Sequence, residues 1–462
     1  MGRNILIVIA GMAIGIVLLF AVSTDKGISQ ADVVGIIFFG LGGLLVWRIA
    51  SAVAEPPDRI WLPRIVVASQ ILRGTWCLLK HTVLAEFYHR YIEWEDAYGR
   101  HFAALREARA WHYGLGHPQL PATLSQAHGY MVQLKTSVLY YLFGPSPLLP
   151  EALVATGTVS ICIAVYIAAV VGKLPRGAIR LPVILSAFLP SLIFWHTLDN
   201  KDGVTATCAA WSLVGLLWLF EGGARSGIGL LLLIGMDALA IVYRPYVGFL
   251  LVTGQGLAWA YTVKLPKTAL GTVARVWIFL LFAPVVLWIG AKEMKETYGE
   301  RMGLQWAVEQ YGAFRESGLR GGIRGSEYII PLEASTPAQA ILQLPIRIFL
   351  ILFSPIPIWP GTFRRMLMYP QMWFLYLYVL PRLVLRIGRA LKERPMWALT
   401  IILTVAPVVV AYALKTAVSG EAARMRTQFI SELFIFAGIG DMLIEQRKMA
   451  RLRTFSAAAT GR

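Results

Sequence analysis

Charge is scarce in this chain. Only 15% of its 462 residues are charged, whereas 57% are hydrophobic and the mean hydropathy is +0.62. Soluble domains usually carry about 25% charged residues. The deficit excludes an ordinary soluble protein. It predicts a membrane protein built from spanning helices, each of which needs roughly 20 apolar residues.

Cysteine and the motifs of soluble enzymes are also scarce. Cys77, Cys162 and Cys208 lie in apolar segments without CxxC spacing, which predicts small buried hydrophobes. The chain has no P-loop, GxGxxG, GxSxG or HExxH motif in a suitable context. An ATPase or a soluble-type hydrolase is therefore disfavoured. No cofactor is predicted with certainty, and a divalent cation stays open.

Basic residues are the abundant charges. The net charge is +17, but the Lys and Arg side chains form short clusters between apolar segments. That pattern is typical of loops that anchor a membrane protein on its cytoplasmic side, and of contacts with anionic lipid headgroups. It does not fit a nucleic-acid surface, so no nucleic-acid partner is predicted.

Twelve apolar stretches are long enough to predict spanning helices. The first is longer than the 7–15 apolar residues of a secretion signal, so it predicts an uncleaved helix. Placing both termini in the cytoplasm puts most basic clusters inside, and the loops 85–130 and 291–340 outside. The stretches are 4–22, 33–53, 62–80, 150–172, 181–198, 203–220, 226–243, 246–263, 272–290, 368–388, 397–416 and 427–444.

Two elements depart from the simple spanning pattern. Stretch 341–360 is apolar but short, and it runs into three prolines, which cannot continue a helix. It predicts a re-entrant element that protein must cover or that lines a wet cavity. In the 85–130 loop, Glu95, Tyr98, Phe102 and Leu105 recur at a spacing of about 3.6 residues, which predicts an amphipathic helix lying on the membrane.

Carboxylates and imidazoles gather in that same loop. Glu95-Asp96 stands at its centre, among five histidines. A carboxylate just outside the bilayer can take the proton from an acceptor hydroxyl or amine that attacks an activated sugar carbon. Glu95 and Asp96 could equally well be solvated charges on a helix at the membrane interface, with no catalytic role.

Charged residues also interrupt the apolar segments further along, where they mark function or a salt bridge because charge near lipid is costly. Lys201 fits a hydrated hairpin, a phosphate ligand or the partner of a carboxylate. Arg244 fits either a structural pair with Asp237 or a diphosphate ligand, since a guanidinium matches phosphate oxygens. Arg424 and Arg426 stand on the predicted outer side, against the positive-inside pattern, which favours anion binding.

Five motifs occur in order between about 62 and 444. They are Glu95-Asp96-Ala97-Tyr98, Pro190-Ser191 with Trp195-His196 and Lys201-Asp202, Arg244-Pro245-Tyr246, Ser354-Pro355-Ile356-Pro357-Ile358-Trp359, and Gly420 with Arg424-Met425-Arg426. Together they resemble the membrane-embedded GT-C glycosyltransferases, most closely the family 39-like enzymes. Two departures leave open which carboxylate acts: the acidic pair runs Glu-Asp, and His196 replaces a small hydroxyl residue.

The resemblance implies an all-α polytopic membrane protein with a GT-C-like fold of about twelve transmembrane helices and an amphipathic periplasmic helix after the third. It divides the chain into two accessory helices (1–60), a catalytic domain (61–444) and a basic cytoplasmic tail (445–462). The implied roles are catalytic for Asp96 and Glu95, phosphate binding for Lys201, Arg244, Arg424 and Arg426, and substrate contact or support for Asp202, His196, Tyr98 and His101.

The implied reaction moves a sugar from a polyprenyl-phosphate donor to a glycan, lipid or protein acceptor at the outer face of a bacterial inner membrane. Two other functions stay open. One is a polysaccharide polymerase or ligase that acts on lipid diphosphate-linked glycans. The other is a transporter or lipid flippase, which the lack of matching inverted halves disfavours.

Overall fold

The computed structural model describes residues 29–82, 84, 95–121, 124–262, 336–356, 363–416 and 419–439, and the regular structure in these ranges is helical. In chain order the helices are α1 (Gln30–Val53), α2 (Trp61–His81), α3 (Glu95–His112), α4 (Leu124–Phe143), α5 (Leu148–Val171), α6 (Arg176–Phe188), α7 (Pro190–His196), α8 (Lys201–Glu221), α9 (Ser226–Tyr243), α10 (Pro245–Thr262), α11 (Pro337–Leu342), α12 (Leu344–Phe353), α13 (Phe363–Phe374), α14 (Leu380–Glu393), α15 (Pro395–Lys415), α16 (Ser419–Arg426) and α17 (Ile430–Ile439).

Five of these helices are long and apolar enough to cross a membrane: α1, α5, α8, α15, and α9 with the turn before it. Helices α6 and α7 make a sixth crossing if they form one span, which bends by 49° between them. The described ranges therefore support a multi-pass membrane protein with five or six crossings. They do not confirm twelve.

The other predicted spans have several outcomes. Helices α2 and α10 are present but are not among the five. Helices α13 and α14, joined by a π-helical segment at Leu375–Val379, cover 368–388, and the short α17 covers part of 427–444. Stretches 4–22 and 272–290 lie outside the described residues.

Glycines allow several of these helices to cross closely. A Cβ on Gly254 of α10 would lie 2.2 Å from the carbonyl oxygen of Leu403 in α15. A Cβ on Gly438 of α17 would lie 1.9 Å from the carbonyl oxygen of Ala178 in α6. Small residues let backbones approach in this way where lipid provides little hydrophobic drive for helix association.

The bundle has two ends that differ in their polar residues. At the site end, where α2 finishes and α5 starts, Lys80 forms an ion pair with Glu151. At the basic end, where α5 finishes and α15 starts, Trp397 Nε1 donates to the carbonyl oxygen of Ala168 over 2.9 Å. Helix α8 runs parallel to α5, because the bent α6–α7 pair between them returns the chain to the site end.

Helix α3 confirms the helix predicted in the 85–130 loop, although residues 85–94 lie outside the described part. It ends before Gly114, whose φ of +69° lies in the left-handed region that favours glycine. Ala104 and Ala108 are buried against Tyr140 of α4, and Leu105 of the predicted face packs beside them, while Phe102 of that face is exposed. Small side chains are buried because α4 lies directly on this face.

Candidate functional site

The site end holds a buried carboxylate, Asp202, in the first turn of α8. Asn200 precedes the helix, and its side-chain oxygen accepts from the backbone N–H groups of Asp202 (2.9 Å) and Gly203 (3.4 Å). Asparagine favours this capping position because it satisfies otherwise unpaired helical donors. The Asn-x-Asp sequence thus fixes where α8 begins and carries Asp202 inward, where it is fully buried.

Asp202 forms ion pairs with two arginines from different parts of the chain. Its Oδ1 lies 2.8 Å from Arg244 Nη2, and its Oδ2 lies 2.5 Å from Arg424 Nε. Arg244 comes from the junction of α9 and α10, and Arg424 comes from α16. Arg244 and Arg424, which are 180 positions apart in the sequence, therefore meet at one carboxylate, and none of the sequence motifs alone required this.

Two neutral side chains complete what we call the Asp202 cluster: Asp202, Arg244, Arg424, Gln428 and Tyr412. Gln428 Nε2 donates to Asp202 Oδ1 over 2.9 Å, and its Oε1 accepts from the Tyr412 hydroxyl over 2.6 Å. Arg244 Nη1 in turn donates to the Tyr412 oxygen over 2.8 Å. A closed network of this kind fixes each side chain's orientation.

Cations outnumber carboxylates at this position. Lys201, the first residue of α8, interacts electrostatically with Asp202, Arg244 and Arg424. Two guanidinium groups thus contact one carboxylate, with Lys201 next to it in the sequence and close to both arginines, among largely apolar helices. Arg424 also lies 5.7 Å from the ring of Trp195. An excess of positive charge in weakly hydrated surroundings attracts an anion strongly.

Helices α3 and α4 lie against the turn that leads into α8. Lys135 Nζ lies 2.5 Å from Asp199 Oδ1, and the Thr136 hydroxyl donates to Asp199 Oδ2 over 2.6 Å. From α3, Arg100 Nη1 donates to the carbonyl oxygen of Asp199 over 3.4 Å. The helix that was predicted to lie on the membrane therefore also contacts the turn beside the Asp202 cluster.

The predicted catalytic pair opens helix α3. Glu95 is its first residue, and Asp96 comes one turn before Arg100. The side chains of Glu95, Asp96 and Tyr98 lie outside the described part of the chain. Their predicted roles are neither confirmed nor contradicted, but the helix that carries them reaches the turn before α8.

Three other predicted residues have structural partners elsewhere. Arg426 is fully buried, and its Nη1 donates to the carbonyl oxygens of Leu352 and Ser354, each over 2.8 Å. His196 Nε2 lies 3.0 Å from the carbonyl oxygen of Thr427. His101 Nδ1 lies 2.6 Å from the Tyr140 hydroxyl.

Arg426 thereby binds the end of helix α12, which lies within the predicted re-entrant element. Helix α12 ends at Phe353, and Ser354 is extended, ahead of the prolines. The guanidinium covers carbonyl groups that the end of a helix leaves unpaired. The predicted helix stop is confirmed, whereas residues 357–360 lie outside the described ranges.

The alternative pairing of Asp237 with Arg244 is wrong. Asp237 Oδ1 accepts from Gln255 Nε2 over 3.1 Å, and the same amide donates to the Ser212 hydroxyl over 2.9 Å. Arg244 instead pairs with Asp202. Helix α9 ends at Tyr243, so the backbone of Arg244 is no longer helical and its side chain points toward α8 rather than along α9 to Asp237.

Sequence reasoning missed several members of the site. Tyr412 and Gln428 are polar residues inside predicted spans, and a polar group at such depth is itself a signal of function or pairing. Lys135 lies on α4, which was not predicted as a helix. Its mixture of polar and apolar residues hides the face that packs on α3.

Glu107 of α3 forms hydrogen bonds that connect this helix to α4. Its carboxylate accepts from the Tyr130 hydroxyl (2.6 Å), from Gln133 Nε2 (3.0 Å) and from the Ser137 hydroxyl (2.7 Å). Burial and the Glu107 carboxylate raise the pKa of Tyr130 to about 12, so its hydroxyl stays a donor at neutral pH. Three donors on one carboxylate hold the two helices in a fixed register.

Replacing Glu107 by glutamine is expected to loosen α3. An amide cannot accept all three bonds, and unsatisfied groups of this kind cost about 1–3 kcal/mol. Hydrogen–deuterium exchange should show faster exchange of the α3 backbone amides. Arg106→Gln, an exposed change on the same helix, should leave exchange unaltered. Equal exchange in Glu107→Gln and wild type would contradict the role of this carboxylate.

The described residues contain no group of three or more His, Cys, Asp or Glu side chains that could hold a metal ion. The three cysteines are free and buried, as predicted.

Comparison of the chain with protein-family models, with curated proteins and with solved structures finds no match.

Proposed function

We propose that this chain is an integral membrane glycosyltransferase that moves a sugar from a polyprenyl-phosphate donor to a cell-envelope acceptor at the site end. The observation that carries the proposal is the Asp202 cluster with Lys201 beside it. In it, Arg244 and Arg424 are held in place by one buried carboxylate.

The charge of the cluster suits the donor's phosphate. When the bond between sugar and phosphate breaks, negative charge develops on the leaving phosphate. Fixed cations stabilise that charge without having to reorganise. Lys201, Arg244 and Arg424 supply them, while Asp202 holds the two guanidinium groups in position before the substrate arrives. Arg426, which bonds backbone carbonyls, supports the site rather than the phosphate in this scheme.

The donor's lipid tail has a route to the cluster along α9. Its exposed outer face is apolar, with Leu231 75% and Ile234 59% exposed, and the helix ends beside Arg244. A prenyl chain lying against this face within the bilayer would bring its phosphate to the arginines at the site end.

Asp96 supplies the base in this proposal. It opens α3, whose Arg100 reaches the turn before α8. The acceptor hydroxyl or amine would lose its proton to Asp96 as its oxygen or nitrogen bonds to the sugar carbon, and the polyprenyl phosphate would leave. The supporting observation is that Arg100 of α3, and Lys135 and Thr136 of α4, all contact Asp199 in the turn before α8.

A host strain that lacks this chain is expected to accumulate an envelope glycan or glycolipid that is one sugar short. Expression of the wild-type chain should restore the missing sugar, and mass spectrometry of extracted glycans measures the difference. Loss of long chains with an unchanged repeat unit would instead indicate a polymerase. Glycans that are identical with and without the chain would contradict the proposal.

A further inference from the structure

Helix α14 presents an arginine face at the basic end. Its apolar side, which includes Leu383 and Ala390, is buried in the same cluster as Leu174 and Trp397. The other side carries Arg386 and Arg389 at helical spacing, with Lys392 one turn further. The helix is therefore packed on one side and cationic on the other.

Neighbouring segments at this end add to the same charge. The turn between α5 and α6 lies close by, since a Cβ on Gly172 would come within 2.4 Å of the Trp397 ring. Arg180 extends the surface toward α2, because its guanidinium lies 5.4 Å from the ring of Trp61 and 3.7 Å from the Asp58 carboxylate.

We call the resulting surface the basic rim. It consists of three described segments, 55–64, 172–180 and 380–394, whose ten cations exceed their three carboxylates, Glu55, Asp58 and Glu393. The cations are Arg59, Arg64, Lys173, Arg176, Arg180, Arg382, Arg386, Arg389, Lys392 and Arg394.

Comparison with α9 indicates what the rim contacts. The outward side chains of α9 are aliphatic, as suits acyl chains. Arginines on the outside of α14 cannot face acyl chains without a large cost, so they lie at the level of the headgroups. A guanidinium binds phosphate oxygens through two parallel hydrogen bonds, and clustered cations beside a spanning helix attract anionic lipid.

We infer that the basic rim binds the phosphate headgroups of anionic phospholipids, with Arg386 and Arg389 of α14 as its principal ligands. The partner is the lipid of the surrounding leaflet, and the surface is separate from the Asp202 cluster at the opposite end. This inference does not depend on the proposed function.

Native mass spectrometry of the full chain in a neutral detergent tests the inference. Titration with phosphatidylglycerol should give saturable binding that exceeds the binding of phosphatidylcholine. The Arg386→Gln/Arg389→Gln variant should bind phosphatidylglycerol about tenfold more weakly, since each cation near an anionic headgroup contributes appreciably. Inorganic phosphate at the same concentration as the lipid should not displace it, because free phosphate has no acyl chains to lie against the apolar helices.

A matched control is Arg106→Gln/Arg109→Gln, which removes the same charge from exposed positions on α3. It should bind phosphatidylglycerol as wild type does. Arg389→Gln alone, at an exposed position, keeps the test valid if the double variant does not fold. Equal binding of the two lipids, equal weakening by both double variants, or displacement by an equal concentration of inorganic phosphate would overturn the inference.

Discussion

Replacing Asp202 by alanine is expected to destabilise the folded chain by about 3–5 kcal/mol, the cost of removing one partner from a buried ion pair. The variant leaves two guanidinium groups, from Arg244 and Arg424, close together without a carboxylate between them. Gln428 also loses its acceptor. Thermal unfolding of the purified protein in detergent measures the loss.

A matched control comes from the surface. Glu393 forms an ion pair with Arg389 one turn away on α14, where both side chains are exposed. Exposed pairs contribute little, so Glu393→Ala should change stability by no more than about 0.5 kcal/mol. If Asp202→Ala and Glu393→Ala proved equally mild, the buried network around Asp202 would not be what holds α8, α10 and α16 together.

Replacing Asp96 by asparagine is expected to lower sugar transfer by about 10²–10⁴-fold, the usual contribution of a general base. Asparagine keeps the size of the side chain but cannot accept the acceptor's proton. Stability and binding of polyprenyl phosphate should stay at wild-type levels, because Asp96 is not a member of the Asp202 cluster. Incorporation of labelled sugar from lipid-linked donors into membrane acceptors measures the change.

Glu95→Gln separates the two neighbouring carboxylates. The proposal expects a much smaller loss of transfer for Glu95→Gln than for Asp96→Asn. A large loss in Glu95→Gln alone would move the base to Glu95, while full activity in both variants would remove the pair from the chemistry.

The helices were largely predictable because apolar runs encode them directly. The predicted stretches 33–53 and 150–172 match α1 and α5 within a few residues. The prolines after Ser354 also predicted the end of α12, because a proline nitrogen carries no hydrogen and cannot donate a helical hydrogen bond. Packing was not predictable in this way. Helix α4 carries a mixed sequence, and only its contact with α3 shows which of its faces is buried.

For the site, too, individual residues were predictable from the sequence and the contacts between them were not. Lys201, Arg244 and Arg424 were identified because charge in an apolar chain is costly. The sequence could not show that Asp202 joins the two arginines, because that requires α8, α16 and the α9–α10 junction to meet in space. Asp237 illustrates the failure. Its spacing from Arg244 suggested a pair, but the end of α9 at Tyr243 turns Arg244 away.

The partner of Arg426 was also hidden from the sequence. Its place two residues after Arg424 suggested one shared anion site. Side chains two positions apart on a helix, such as Arg424 and Arg426, point to different faces. Arg424 consequently reaches Asp202, while Arg426 reaches the end of α12.

Binding of polyprenyl phosphate tests the central claim most directly, since in the proposed reaction this molecule is the leaving group whatever the sugar. The purified full chain should bind it saturably, and Arg424→Gln should weaken binding about tenfold or more, as expected for the loss of a charge-assisted phosphate contact. Arg106→Gln/Arg109→Gln, which removes two charges from exposed positions on α3 outside both the Asp202 cluster and the basic rim, should bind it as wild type does. Absence of saturable binding, or equal binding by wild type and Arg424→Gln, would contradict the assignment of the Asp202 cluster as a phosphate site.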